Sequence, residues 1–120
     1  MIVGIGTDIV EISRFSSAKQ SFIQKIFTDA EINYIYQRKM ESMAGIFAAK
    51  EAVIKCFGSN LKKISMRDIE ILHGEKNAPM VKLYNGAFEI ATHLKITDIK
   101  ISISHEKKYA IAFVIAENKS

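Results

Sequence analysis

The amino-acid sequence predicts a mixed α+β (α/β) domain in which a mostly antiparallel sheet packs against helices. Three observations support this fold class. Residues 2–12 are rich in β-branched side chains without a helical period, residues 42–57 consist mainly of strong helix formers, and several later segments alternate polar with apolar residues. Because the alternating segments follow one another with short connections, we expect their strands to pair mainly antiparallel.

Residues 2–12 are predicted to form a central strand of the sheet. Successive side chains of a strand point to opposite faces, so Gly4, Gly6 and Asp8 share one face. Two glycines beside a carboxylate either leave room for a ligand to approach Asp8 or allow a helix to pack closely on the sheet. The pattern alone does not choose between these interpretations.

Three helical segments are expected in the first half of the chain. Residues 13–27 have an amphipathic pattern. Thr28 and Glu31 have the spacing of a capping box, in which each side chain accepts a hydrogen bond from the other residue's backbone N–H, and they predict a helix that runs to about residue 40. A longer helix is expected at residues 42–57, and Gly58 is a natural stop for it.

The second half is predicted to consist of short elements separated by turns. Strands are expected at residues 66–72, 80–84, 99–103 and 109–116, and a short helix at residues 86–94. No repeat or linker divides the chain, so residues 1–120 are predicted to form one domain.

Composition narrows the function classes. A net charge of +4 suits nucleic acid, nucleotide phosphates or an acidic protein as partner. With a single cysteine, the chain cannot form an intramolecular disulfide, and a zinc site could have only one thiolate ligand. The opening apolar run carries Asp8 and Glu11, which a secretory signal would not, and no apolar stretch is long enough to span a membrane. We therefore expect a cytoplasmic protein without membrane contact.

The helix predicted at residues 42–57 carries charges within an apolar sequence. At about 100° per residue, Glu51 and Lys55 lie roughly 40° apart and Lys50 lies about 100° from Glu51 on the other side, so one broad face is expected to present all three. An ordinary surface Glu–Lys pair contributes only about 0.2–0.5 kcal/mol. If the helix instead packs across the first strand, Asp8 and Glu51 offer two carboxylate oxygens to Mg²⁺ and Lys55 contacts a phosphate.

His105 lies where an alternating strand meets a charged turn. A histidine there is either structural or solvated, or it binds a phosphate. The sequence contains no H-E-x-x-H zinc pattern, no Gly-Lys-Ser/Thr phosphate loop and no complete dinucleotide fingerprint. Cys56, within an apolar helix, is expected to be inert packing.

Three motifs follow one another in a characteristic order: Gly6-Thr7-Asp8 followed by Glu11 and Arg14, then Phe47-Ala48-Ala49-Lys50-Glu51-Ala52 with Lys55, then Ser102-Ile103-Ser104-His105. Over nearly its whole length the chain closely resembles the holo-[acyl-carrier-protein] synthases, the short trimeric type of 4′-phosphopantetheinyl transferase. The resemblance implies the fold of that family, including a long helix that carries the Lys-Glu motif.

The resemblance also implies a reaction. The phosphopantetheine arm of coenzyme A moves onto a serine of apo acyl carrier protein, adenosine 3′,5′-bisphosphate is released, and fatty acid biosynthesis is supported. Asp8 and Glu51 would be the Mg²⁺ ligands, and with Lys55 they would form the catalytic set, in which Lys55 also binds the coenzyme. Lys50 and His105 would lie near the coenzyme. The serine proton would pass to a metal-bound water or to an acidic side chain, of which Glu51 is the first to test.

Partners follow from the same resemblance. The basic and aromatic residues Arg14, Lys19, Phe22 and Lys25 look like the family's docking helix for the strongly acidic carrier protein, although an ordinary amphipathic helix has the same pattern. One copy of each motif implies a homotrimer with active sites between subunits.

Two loops depart from the pattern of many relatives. Gly58-Ser59-Asn60 stands where they have Gly-Thr-Gly, and Asn77-Ala78-Pro79 where they have Gly-Lys-Pro, so the fine nucleotide contacts are expected to differ.

Two other functions compete with the transferase. A small basic nucleic-acid-binding module is suggested by the pI near 9.2 and the pairs Lys62-Lys63 and Lys107-Lys108, but neither pair extends into a longer basic run. A metal-dependent nucleotide hydrolase would use the same carboxylates without an acceptor protein. The sequence therefore predicts the transferase, with no nucleic acid among its partners.

Overall fold

The computed structural model describes residues 1–58 and 64–120. Its strands are β1 Ile2–Glu11, β2 Ile69–His73, β3 Pro79–Leu83, β4 Asp98–His105 and β5 Tyr109–Glu117, and its α-helices are α1 Gln20–Ile26, α2 Asp29–Tyr36, α3 Met40–Cys56 and α4 Asn85–His93. Short 3₁₀ turns occupy Ile12–Phe15, Met66–Asp68 and Glu75–Asn77. The predicted α+β class is confirmed.

The strands form two antiparallel sheets. The larger has the order β1-β5-β4 and the smaller pairs β2 with β3. Within the described residues β5 is therefore central and β1 lies at an edge, so the prediction of β1 as a central strand is wrong. The register places Asp8 of β1 opposite Ala112 of β5, which in turn faces Ile103 of β4.

Helix α3 packs across β1 and β5 at very short range. A Cβ atom added to Gly6 would lie 1.9 Å from the backbone oxygen of Ala52, and one added to Gly4 would lie 2.3 Å from that of Cys56. The two glycines thus permit close helix–sheet packing and do not leave space for a ligand. Small residues on β5, of which Ala112 is fully buried, extend the same contact.

The opposite face of the larger sheet carries exposed apolar side chains. Ile5 and Ile9 of β1 are each 61% exposed, and Phe113 of β5 is 50% exposed. Ile9 lies opposite Ile111, which is 43% exposed. This face therefore carries exposed apolar side chains of the kind that mark an interaction surface.

The single helix predicted at residues 13–27 is wrong. A 3₁₀ turn at Ile12–Phe15 is followed by an irregular segment before α1 begins at Gln20. The Ser16 hydroxyl donates to the carbonyl of Ser13 at 2.9 Å, a local bond that competes with helix continuation. Phe15 is buried in the core, which fixes the turn in place.

The capping box is confirmed and α2 begins there. The backbone N–H of Thr28 donates to Glu31 Oε1 at 2.9 Å, and that of Glu31 donates to Thr28 Oγ1 at 3.3 Å. The helix ends at Tyr36, earlier than predicted. The predicted stop after α3 is confirmed, because Gly58 has a φ of +72°.

The later elements lie within one to three residues of their predicted bounds. The one change of type is at Met66–Asp68, where a 3₁₀ turn replaces the start of the predicted strand because the Ser65 hydroxyl accepts a hydrogen bond from the N–H of Arg67 at 3.2 Å.

Within the described ranges, no helix combines the length and apolar character needed to cross a membrane.

Candidate active site

Asp8 and Lys55 meet where α3 crosses β1. Lys55 Nζ donates to Asp8 Oδ1 at 3.1 Å and to the backbone oxygen of Thr7 at 2.9 Å. The side chain of Asp8 is 16% exposed and that of Lys55 is 52% exposed, so the pair lies at the solvent-accessible edge of the contact between α3 and β1. The helix thus packs across the first strand, which was the condition for the predicted site, and the ion pair between Lys55 and Asp8 was not predicted.

Glu51 belongs to the same cluster. Burial raises the pKa of the Glu51 carboxyl, and the Asp8 carboxylate raises that pKa further, whereas Lys55 and Arg14 act in the opposite direction. Two carboxylates and two basic groups thus interact electrostatically. Ala52, the residue after Glu51, has the backbone oxygen that approaches Gly6, so α3 packs closely on β1 beside Glu51.

The donor set of this cluster fits Mg²⁺. A shared cation would offset the repulsion between the two carboxylates. Mg²⁺ is commonly held by one or two carboxylates, with water and phosphates completing its octahedral coordination. Among residues 1–58 and 64–120 there is no group of three or more His, Cys, Asp or Glu side chains that could hold a metal. Asp8 and Glu51 would therefore supply at most two of the ligands of a Mg²⁺ ion.

Lys50 does not share the exposed face of Glu51 and Lys55. Its side chain is fully buried, and its ammonium group pairs with Glu31 Oε1 at 2.7 Å. It also donates to the carbonyl of Met66 at 2.8 Å and to that of Ile69. The prediction that one face presents all three charges is wrong, because no part of the Lys50 ammonium group faces solvent.

The four predicted docking residues line one groove. A cavity of about 430 Å³ is bounded by α1 and the segment before it, including Arg14, Lys19, Phe22 and Lys25. The Arg14 guanidinium lies 5.5 Å from the ring centroid of Phe47, a cation–π distance. The Arg14 guanidinium also lowers the pKa of Glu51, so one residue of this groove interacts electrostatically with the carboxylate cluster.

His105 lies in a different cleft. A cavity of about 170 Å³ is lined by the end of β4, the first half of α3 and the β2–β3 turn, including His105, Gly45, His73 and Asn77. None of Asp8, Glu51 and Lys55 is among its lining residues. The structure therefore does not bring His105 together with the carboxylate cluster within one chain.

Of the two loops that depart from the relatives' pattern, Asn77 and Pro79 line the His105 cleft and Ala78 is exposed. Ser59 and Asn60, like the pair Lys62-Lys63, lie outside the described residues.

A model of the 4′-phosphopantetheinyl transferase superfamily matches residues 4–114 of the chain. The chain belongs to the 4′-phosphopantetheinyl transferase superfamily. The resemblance inferred from the motifs is confirmed, and with it the class of enzyme. The holo-[acyl-carrier-protein] synthase of Caldicellulosiruptor saccharolyticus is 46% identical to this transferase over 123 residues, which cover 99% of each chain.

Solved structures agree with the sequence relatives. The transferase has a TM-score of 0.88 and 32% identity to Plasmodium yoelii acyl carrier protein synthase with ADP bound, covering 100% of this chain and 98% of the other. It has a TM-score of 0.81 and 34% identity to Helicobacter pylori holo-[acyl-carrier-protein] synthase in complex with coenzyme A, covering 94% and 99%.

The transferase also has features near these sites that sequence reasoning missed. Tyr34 stacks on His73 with ring centroids 4.0 Å apart, and the Arg38 guanidinium lies 4.2 Å from the Tyr34 centroid on α2. The capping box predicted α2, but nothing in its spacing indicated that Glu31 would also pair with Lys50. Only an apolar neighbourhood around Lys50, visible in the sequence, hinted at its burial.

Proposed function

We propose that the chain transfers the 4′-phosphopantetheine arm of coenzyme A to a serine of apo acyl carrier protein and releases adenosine 3′,5′-bisphosphate, with Mg²⁺ as cofactor. The observation that carries this proposal is the cluster of Asp8, Glu51 and Lys55 in a chain of this superfamily. The names of its relatives and the coenzyme A bound to the Helicobacter pylori protein support the two substrates.

Asp8 and Glu51 would hold the metal ion. When bound, Mg²⁺ supplies positive charge against the diphosphate oxygens of the coenzyme. Lys55 adds a second positive charge at the same place, because its half-exposed ammonium group lies beside Asp8 and reaches outward from the helix–sheet junction.

The serine proton has to leave as the new phosphate ester forms. Of the acidic side chains, Glu51 is the one that we propose as its acceptor. Its carboxylate belongs to the cluster where the coenzyme's phosphates and the carrier serine would meet, so it is the acidic group to test first.

The nucleotide end of the coenzyme would occupy the cleft that contains His105. An imidazole at the rim of this cleft is a suitable donor to a phosphate, and Asn77 offers a polar group beside it. Lys50 is no longer among the proposed coenzyme contacts, because its three donors are used inside the protein.

The groove of Arg14, Lys19, Phe22 and Lys25 would receive the carrier protein. Three basic groups around a half-buried aromatic side chain complement an acidic partner, with the charges speeding the encounter and Phe22 providing apolar contact. Arg14 interacts electrostatically with Glu51, so a carrier docked on the groove would present its serine toward Asp8 and Glu51.

We also propose a homotrimer with active sites between subunits. The exposed apolar face around Ile5, Ile9 and Phe113 supports an oligomer. A neighbouring subunit would bring its His105 cleft to the carboxylate cluster, which one chain alone does not do. The role in fatty acid biosynthesis and the cytoplasmic location belong to the same proposal, as does the single domain of residues 1–120.

The test is intact-protein mass spectrometry of an apo acyl carrier protein incubated with this chain, coenzyme A and Mg²⁺, with and without a chelator. A chelator-sensitive mass gain of one phosphopantetheine is expected. No gain across a panel of competent carriers would refute the proposal, and coenzyme A breakdown without a carrier would identify a hydrolase instead.

A further inference from the structure

The ammonium group of Lys50 is fully satisfied inside the protein. It has three protons to donate, and three acceptors surround it: Glu31 Oε1 at 2.7 Å, the Met66 carbonyl at 2.8 Å and the Ile69 carbonyl. Both Lys50 and Glu31 are 0% exposed. A charged side chain placed in this way makes no substrate contact, so its presence next to Glu51 requires another explanation.

All three acceptors lie outside α3. Glu31 is on α2, and Met66 and Ile69 flank the start of β2. Glu31 is itself fixed, because Oε1 accepts from the N–H of Thr28 at 2.9 Å and Oε2 accepts from the N–H of Ile71 at 2.7 Å. The Lys50 ammonium group thus connects α3 to two other elements through charge-assisted hydrogen bonds, which are the stronger kind.

Rotation of α3 about its axis would break these bonds. The ends of side chains lie about 5–6 Å from a helix axis, so a rotation of 10° moves them by about 1 Å. Glu51 is the next residue after Lys50 and shares that rotation. Its distance from Asp8 on the neighbouring strand therefore depends on how firmly Lys50 is held.

We propose that Lys50 is a positioning residue for the reaction: paired with Glu31, it fixes the rotation of α3 and thereby directs Glu51 toward Asp8. This inference rests on the proposed function, because it assigns Lys50 a part in holding the metal ligands of that reaction. The residue acts through Glu51 and contacts neither substrate.

The test uses the pair together with a control at the far end of the same network. Lys50→Met alone leaves the Glu31 carboxylate buried without a counter-charge and is expected to unfold the chain. The double variant Lys50→Met with Glu31→Gln removes both charges at nearly constant volume. Tyr84→Phe is the control, because the Tyr84 hydroxyl donates to Glu70 Oε1 at 2.7 Å and Glu70 accepts from Thr28, so the change leaves the Lys50–Glu31 ion pair and both buried charges in place.

The readouts are circular dichroism for folding, electron paramagnetic resonance titration with Mn²⁺ alone for the carboxylate pair, and steady-state kinetics for transfer. In the folded double variant we expect the Kd for Mn²⁺ to rise about tenfold and kcat to fall about 10- to 100-fold, with KM for coenzyme A within about threefold of the parent value. Tyr84→Phe should keep the parent's Mn²⁺ affinity and kcat.

Three results would overturn the proposal: parental kcat and Mn²⁺ affinity in the double variant, an equal loss of both in Tyr84→Phe, or a raised KM for coenzyme A at unchanged kcat, which indicates a direct coenzyme contact. If the parent chain transfers nothing but the double variant still binds Mn²⁺ more weakly, the proposed function fails and the positioning role stands.

Discussion

Replacing Gly6 by alanine tests whether the glycine contact sets the geometry of the active site. The new Cβ would lie 1.9 Å from the Ala52 backbone oxygen, whereas contacts under 3.0 Å are essentially never seen for Cβ atoms. Helix and strand would therefore have to separate by about 1 Å. Overpacking of this kind lowers the free energy of unfolding by about 1–3 kcal/mol. A displacement of about 1 Å between Glu51 and Asp8 is expected to reduce kcat by about 100-fold.

Stability is measured by urea unfolding with circular dichroism as the signal. Turnover is measured by the mass-spectrometric transfer assay without urea, at a temperature at which the variant is folded. Gly74→Ala is the matched control, because its Cβ would meet Met80 Sδ at an ordinary 3.5 Å. The control should stay within about 0.5 kcal/mol of the parent chain and keep its turnover. If Gly6→Ala matched the parent in both stability and turnover, close packing would not be what positions Glu51.

Three further predictions concern the charged residues. Asp8→Ala and Glu51→Ala should each abolish transfer while circular dichroism shows the parental fold, and near-normal turnover in both would remove the metal assignment. Arg14→Glu should raise KM for the carrier protein at least tenfold by reversing one charge in the groove, whereas Lys95→Glu, an exposed change beyond the groove, should not; equal KM values would mean that the groove is not the docking surface. A raised pKa means that the folded state holds the Glu51 proton more tightly than the unfolded chain does, so the ionised group opposes folding at neutral pH. Glu51→Gln should therefore be more stable than the parent in metal-free urea unfolding at pH 7, and this advantage should shrink as the pH falls through the raised pKa toward the ordinary glutamate value of 4.5; a constant difference across that range would contradict it.

Local sequence signals predicted most elements because each signal depends on neighbours along the chain. The capping box of Thr28 and Glu31 is such a signal, and so is the glycine that ends α3. The position of β1 in its sheet was mispredicted for a physical reason. Its outward residues Ile5 and Ile9 are apolar although exposed, so the strand has the composition of one that is covered on both faces.

Some residues of the candidate site were likewise predicted from the sequence, and one was misplaced. Helical spacing placed Glu51 and Lys55 close together around one helix, but Asp8 was assigned to the same site through the resemblance to the synthase family, because spacing does not show which strand a helix packs on. Lys50 was misplaced because helical spacing gives angles around an axis but not the direction of the core. Its true partner, Glu31, is 19 residues away and contributes through a tertiary contact.

The double use of Glu31 has a consequence for the order in which the molecule opens. An isolated helix of eight residues is marginal in water, and α2 has only eight. Its first turn, however, is capped by a carboxylate that also neutralises a lysine in the core. Fraying at that end would leave the buried Lys50 ammonium group without its counter-charge. The hydrogen-bonded amides of Thr28, Glu31 and Ile32 should therefore exchange as slowly as global unfolding, while the amides after Tyr36 exchange by local opening.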